Sequence, residues 1–156
     1  MIDPMHEAGL DGAIFGFGVD TGMHLLRLIT IGIFDRYPDL QIMVGHMGEA
    51  LPYWLYRLDY MHQAGVRSKR WERMKPLNKT ITDYMRSNVL VTNSGMAWEP
   101  AVRFAQQVLG EDRVMYAMDY PYQVEAQEVR AMDTMDITPE LKKKFFQTNA
   151  ERWFGL

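Results

Sequence analysis

Three short apolar runs, each passing directly into a cluster of polar residues and glycine, constrain this chain more than anything else in it. Gln41-Ile42-Met43-Val44 leads into Gly45-His46-Met47-Gly48-Glu49, and Val89-Leu90-Val91 leads into Thr92-Asn93-Ser94-Gly95. Val114-Met115-Tyr116-Ala117 leads into Met118-Asp119-Tyr120-Pro121-Tyr122. The runs are too short for helices and do not alternate with polar residues, which is the pattern of strands buried on both faces. Helical stretches separate them. Thr21 can cap a helix over residues 21–34 that stops at Tyr37-Pro38. Apolar side chains fill most of its positions, so burial on more than one side is expected. A second helix runs from Trp54 towards Gln63, a third covers residues 81–86, and a fourth covers 99–109 with Gly110 as its stop. Two helices close the chain, the clearer one starting at Thr138-Pro139-Glu140, a cap followed by proline in the first turn. Residues 65–79 read as a charged loop with a helical turn, and residues 1–12 as the middle of a loop. A helix followed by strand–helix three times over predicts an α/β fold, a parallel sheet covered by helices.

A chain of 156 residues with 47% hydrophobic content suits one domain with a core of its own. The net charge is −3. The basic runs Arg67-Ser68-Lys69-Arg70, Arg73-Met74-Lys75 and Lys142-Lys143-Lys144 each have acidic or aromatic neighbours. They read as solvated helix faces and argue against a nucleic-acid partner. The absence of cysteine excludes disulfides, thiolate nucleophiles and Cys-ligated zinc, and fits a reducing cytoplasm. Residues 1–10 carry no signal-peptide core, and the most apolar stretch, 25–34, falls short of the roughly 20 residues of a membrane span. A cytoplasmic chain with no membrane partner is expected.

In a parallel α/β sheet the carboxyl ends of all strands lie at one edge, where ligands bind. Topology therefore brings His46 and Glu49, Asn93 and Ser94, and Asp119 and Tyr122 together in space. Taken singly, each has a structural alternative. Asp119 can be a turn former, His46 can bond a backbone carbonyl, and Glu49 can be a first-turn carboxylate favoured by the helix dipole. Asn93-Ser94-Gly95 reads as a strand-to-helix turn rather than as catalytic machinery. His24 reads as a satisfied core histidine, and His6 and His62 read as exposed. Asp119 and His46 are the well-placed candidates for a metal, with Glu49 as a third; neither His-x-His nor HExxH is present. These residues alone do not make a closed metal site.

The stretches Gly45-His46-Met47-Gly48-Glu49-Ala50-Leu51-Pro52 and Met118-Asp119-Tyr120-Pro121 resemble two signatures of the ACMSD-like amidohydrolases, which include non-oxidative decarboxylases of hydroxybenzoates. The helix 21–34, the Asn93-Ser94-Gly95 turn and Asn149-Ala150-Glu151-Arg152 fit the same group, and the similarity covers essentially the whole chain. The resemblance implies the C-terminal portion of a (β/α)8 TIM barrel, metal-dependent hydrolase-like. About three strands with their helices would form a single partial domain over residues 1–156, with the N-terminal strands missing.

The activity implied is decarboxylation of a hydroxylated aromatic acid, most closely 5-carboxyvanillate to vanillate, in the breakdown of lignin-derived aromatics. The implied cofactor is a divalent metal, Mn2+ or Zn2+, held by Asp119 together with a Glu and a His that the resemblance places ahead of Met1. Oxygen-rich ligation favours Mn2+. The resemblance further implies Asp119 as proton donor, His46 beside the substrate and Glu49 orienting His46. It implies Arg57 at a second substrate carboxylate, Tyr122 at the same end of the ring and Phe17 on the ring face. A homo-oligomer, dimer or tetramer, is implied too. The competing expectations are a metal-dependent hydrolase or hydratase of the same superfamily, or a catalytically silent fragment.

Overall fold

The computed structural model describes residues 3–156. Helix α1 (Asp3–Glu7) occupies part of the segment whose sequence reads as loop. Helix α2 (Gly16–Thr30) starts ahead of Thr21, and a left-handed Gly32 (φ 76°) sets off a separate helix, α3 (Ile33–Arg36). The single helix expected over 21–34 is therefore two. Strand β1 (Ile42–Val44) follows, then the short curl α4 (His46–Glu49) and the long helix α5 (Leu51–Ser68). Helix α5 runs into the stretch expected to be loop. Helix α6 (Ile81–Asn88) leads into β2 (Val89–Thr92), and α7 (Glu99–Leu109) precedes β3 (Val114–Met115). Helices α8 (Ala126–Asp133), α9 (Pro139–Lys143) and α10 (Asn149–Phe154) end the chain.

Local chemistry explains most of these boundaries. Thr80 and Asp83 form a reciprocal capping box at the start of α6. The hydrogen bonds from the Thr80 hydroxyl and N–H hold the Asp83 carboxyl below its ordinary value. At α9 the Thr138 hydroxyl accepts from the Leu141 N–H at 3.2 Å, with Pro139 in the first turn as expected. Gly110, at φ 110°, ends α7.

The sheet has the order β1-β2-β3, with both pairs parallel. Met43 stands opposite Leu90 and Thr92 opposite Met115. Alternation along the strands therefore puts these four on one face and Ile42, Val44, Val89, Val91 and Val114 on the other. The second set packs under the helices with Leu25, Ile29, Leu55, Met85, Val102 and Leu109 to make the core. Among the described residues, no helix is long and apolar enough to cross a membrane.

Two histidines are not where the sequence suggests. Helix α2 buries only a stripe of Gly22, Leu25 and Ile29, and His24 lies off that stripe, exposed. Apolar composition exaggerates the burial of this helix, because Met23 and Ile31 beside the stripe also face outward. His62 is half-buried rather than exposed, and its Nε2 has no hydrogen-bond partner among the described residues. His6 is exposed, as expected, and lies 2.7 Å from Asp11.

One polar anchor ties the charged loop to the helices. The Tyr84 ring is stacked on Phe34 with centroids 5.8 Å apart. Its hydroxyl donates to Asp35 and accepts from the Lys79 N–H at 3.2 Å, while Asp35 also accepts from the Asn78 N–H at 3.3 Å. Burial and the Asp35 carboxylate push the Tyr84 phenol up to about 12. Tyr84→Phe removes a donor from a half-buried carboxylate, so unfolding stability should fall by about 1–3 kcal/mol, read from a urea midpoint. Because the folded value is raised, the phenol's contribution is complete below its ordinary value of 10 and is lost as pH rises through about 12. The alkaline decline of stability should accordingly be shallower in Tyr84→Phe.

Candidate active site

The turn after β1 is wound tightly enough to place two side chains against each other. Gly45 is extended, but His46 (φ 47°), Met47 (φ 54°), Gly48 (φ 75°), Glu49 (φ 54°) and Ala50 (φ 60°) are all left-handed. Gly48 needs to be glycine for space as well, since a Cβ there would come within 2.9 Å of the Val91 side chain. Met47 is buried and pins the curl to the core. The curl turns the His46 ring back on Glu49, with Nδ1 2.7 Å from Oε1. The Glu49 carboxylate is nearly enclosed, at 8% exposure, whereas the His46 ring is 40% exposed. A carboxylate can only accept here, so His46 carries its proton on Nδ1 and donates it to Glu49. Nε2 then faces Asp119 Oδ1 at 3.9 Å.

Asp119 is held from two directions. The Ser94 hydroxyl donates to its Oδ1 at 3.1 Å. Deeper in, Asn93 is buried at 2% exposure, and its side-chain oxygen accepts from the Ala117 N–H at 3.0 Å. That bond ties the end of β2 to the chain leading into Asp119. Beyond it the Asp119 carbonyl accepts from the N–H groups of Tyr122 and Gln123 at 2.7 and 2.9 Å, closing a turn that fixes the residue at the strand end. Gly95 completes the enclosure. A Cβ on it would lie 2.9 Å from His46 Cδ2 and 3.4 Å from Asp119 Oδ2.

The fold thus brings together His46, Glu49, Ser94 and Asp119 at the carboxyl edge of the sheet. Arg57, on α5, is exposed, and so are Phe17 at 62% and Tyr122 at 89%. Among the described residues, no hydrogen bond or ion pair joins Arg57 or the Tyr122 side chain to the His46–Asp119 group.

Sequence reading alone passes over Asn93 and Ser94 as a turn. They are also the polar hold on Asp119. It passes over Gly18 altogether, although Gly18 and Gly22 stand one helical turn apart on α2 and both face Glu49. The spacing of those glycines inside a helix was the available signal.

As a cation site, this arrangement offers one carboxylate with an oxygen to spare, that of Asp119, since Glu49 is engaged with His46 and nearly enclosed. Asp119 Oδ1 is occupied by Ser94, and no hydrogen bond reaches Oδ2 among the described residues. Among the described residues, no group of three His, Cys, Asp or Glu side chains that could hold a metal gathers there. The residues present therefore fit one corner of a hard-cation site and not a complete donor set.

The amidohydrolase family model matches residues 2–156. Gamma-resorcylate decarboxylase of Polaromonas sp. (strain JS666 / ATCC BAA-500) is 32% identical over 150 residues, covering 96% of this chain and 45% of that protein. The crystal structure of 5-carboxyvanillate decarboxylase from Novosphingobium aromaticivorans DSM 12444, complexed with manganese and 4-hydroxy-3-methoxy-5-nitrobenzoic acid, is 83% identical with a TM-score of 0.98. It is matched by 100% of this chain over 44% of its own length. 5-Carboxyvanillate decarboxylase of Sphingomonas paucimobilis is 38% identical, with a TM-score of 0.92, over 46% of its chain. The chain spans less than half the length of each of these relatives. Its three parallel strands and covering helices are consistent with part of a (β/α)8 barrel. With the family model matched over nearly all its residues and these decarboxylases among its relatives, the chain belongs to the amidohydrolase family.

Proposed function

We propose that the protein carrying this chain is a manganese-dependent, non-oxidative decarboxylase of hydroxylated aromatic acids, with 5-carboxyvanillate as substrate and vanillate as product. The observation that carries this reading is the Ser94-held Asp119 carboxylate facing the Glu49-held His46 ring, in a chain 83% identical to a 5-carboxyvanillate decarboxylase. In this reading, residues 1–156 are a single partial barrel domain. Asp119 holds the metal ion from this side of the site. When bound, the ion supplies positive charge against the substrate's anionic oxygens and serves as a template rather than as a source of hydroxide. Manganese is preferred because the donor assigned here, the Asp119 carboxylate, is oxygen, with zinc as the second choice.

The chemical problem is the ring carbon that bears the carboxylate. Direct loss of CO2 would leave the bonding pair as an aryl carbanion. The protonated Asp119 carboxyl avoids this by giving its proton to that carbon; the pair for the new C–H bond comes through the ring from the ionised phenolic oxygen, which becomes a carbonyl until CO2 leaves. The carbon–carboxylate bond then breaks, its electron pair restores the aromatic ring, and CO2 departs. Asp119 is left as the carboxylate and takes up a proton for the next turnover. His46 contributes through its Nε2. With the other ring nitrogen committed to Glu49, the Nε2 lone pair is free to accept from the Asp119 carboxyl or from the substrate. Arg57 meets the second carboxylate with charge-assisted bonds, Tyr122 bonds to the same end of the ring, and Phe17 covers its face. The protein works in the cytoplasm as a homodimer or homotetramer, on aromatics released from lignin.

The test is incubation of the whole protein, loaded with Mn2+, with 5-carboxyvanillate. Vanillate and CO2 should appear in equal amounts, by chromatography and by trapped gas. Ring or ester cleavage without CO2 would move the assignment to a hydrolase or hydratase of the same superfamily.

A further inference from the structure

The Glu49 carboxylate is set by a missing side chain on another helix. Gly18, in α2, packs so closely on Glu49 that an added Cβ would sit 2.8 Å from Oε2. Glu49 Cδ at 3.8 Å is the next neighbour, and among the described residues nothing else outside the helix's own backbone and chain neighbours lies within 4 Å of that position. A methyl group at residue 18 would therefore press on one thing, the end of the carboxylate that holds His46. Gly22, one turn along the same helix, faces Glu49 more loosely. A Cβ there would be 3.5 Å from Glu49 Cβ and from its carbonyl oxygen, and 3.7 Å from Leu51 Cδ2, all ordinary contact distances.

We propose that Gly18 is a positioning residue for the His46–Glu49 pair: its bare backbone leaves the room in which Oε2 sits, so that Oε1 stays on His46 Nδ1. The effect is steric and passes through one side chain. Gly18 has no left-handed backbone that would require glycine, and a glycine inside a helix is otherwise unfavourable relative to alanine. Its presence at this contact is therefore explained by Glu49, not by the helix. Displacing Oε2 turns the carboxylate, lengthens or breaks the 2.7 Å contact to Nδ1, and frees the ring to take the other tautomer. The functional importance of the residue rests on the reading of His46 as part of a decarboxylase site; the steric claim does not.

The two glycines supply their own control. In the 156-residue chain, with its four histidines labelled with nitrogen-15, His46 should show a downfield Nδ1–H resonance bonded to a carboxylate, removed by Glu49→Ala. Gly18→Ala should abolish or shift that resonance without lowering the melting temperature. Gly22→Ala should leave it in place, with the same or a higher melting temperature. An unchanged His46 signal in Gly18→Ala would overturn the proposal. So would equal perturbation by both substitutions, which would indicate displacement of the whole helix. Loss of folding in Gly18→Ala alone would also count against it, because the Glu49 carboxylate is the one described group outside the helix that the methyl would press on. The readout contains no turnover, so a failed decarboxylase assignment leaves it standing. If that assignment holds, Gly18→Ala in the whole enzyme should lower kcat several-fold more than Gly22→Ala while leaving KM for 5-carboxyvanillate nearly unchanged.

Discussion

In the whole enzyme, Asp119→Asn should lower kcat for decarboxylation about 10³–10⁴-fold, the upper part of the range for removing a positioned proton donor that also serves as a charge partner. Asparagine keeps the shape of the side chain and an oxygen that can still accept from the Ser94 hydroxyl, so the turn around residue 119 should be preserved. What it loses is the ability to become a carboxylic acid and hand over a proton, together with the negative charge that holds a cation. Two readouts separate these losses. Single-turnover CO2 release at saturating Mn2+ measures the proton transfer, and a metal titration measures the binding. If CO2 release keeps its normal rate in the variant, Asp119 is not the donor and the mechanism proposed here fails. Ser94→Ala provides the graded comparison, since it removes one hydrogen bond and leaves the carboxyl group intact.

The second large effect concerns the 156-residue chain by itself. One carboxylate with a free oxygen is a poor cage for a divalent ion, and no second and third ligand gathers around it among the described residues. Purified alone, loaded with Mn2+ and dialysed, the chain should retain far less than one ion per molecule by elemental analysis. It should release no CO2 from 5-carboxyvanillate above the uncatalysed background. One firmly held ion per chain together with turnover would show that the ligand set is more complete than the geometry indicates. The same measurement decides between a working enzyme and a silent fragment as descriptions of this stretch of protein.

The sheet was legible because its signal is redundant. Val89, Val91 and Val114 are β-branched, stand in short apolar runs that end in turn residues, and are all fully buried. The parallel order then follows from strand–helix alternation, and with it the meeting of His46, Glu49 and Asp119. The start of α2 was not legible. Gly16 and Gly18 both disfavour a helix by intrinsic propensity, yet tertiary contact between Gly18 and Glu49 runs the helix through them. His24 was misplaced for a related reason, because apolar composition does not say which stripe of a helix is covered. The roles of Asn93 and Ser94 depend on register at the level of single atoms. One residue of slip between β2 and β3 would carry the Asn93 oxygen away from the Ala117 N–H, and no pattern of residue types specifies that alignment. The left-handed course of residues 46–50 was equally hidden, since only Gly48 among them advertises such a conformation.

That left-handed course has a thermodynamic consequence. Four side-chain-bearing residues, His46, Met47, Glu49 and Ala50, sit in a conformation that costs an L-residue about 1–2 kcal/mol each. The cohesion of the surrounding core has to offset that cost, and what it secures is an imidazole already aimed before any ligand arrives. A relaxed loop would make the protein hardier and its histidine idle. In these few residues, robustness and readiness pull in opposite directions.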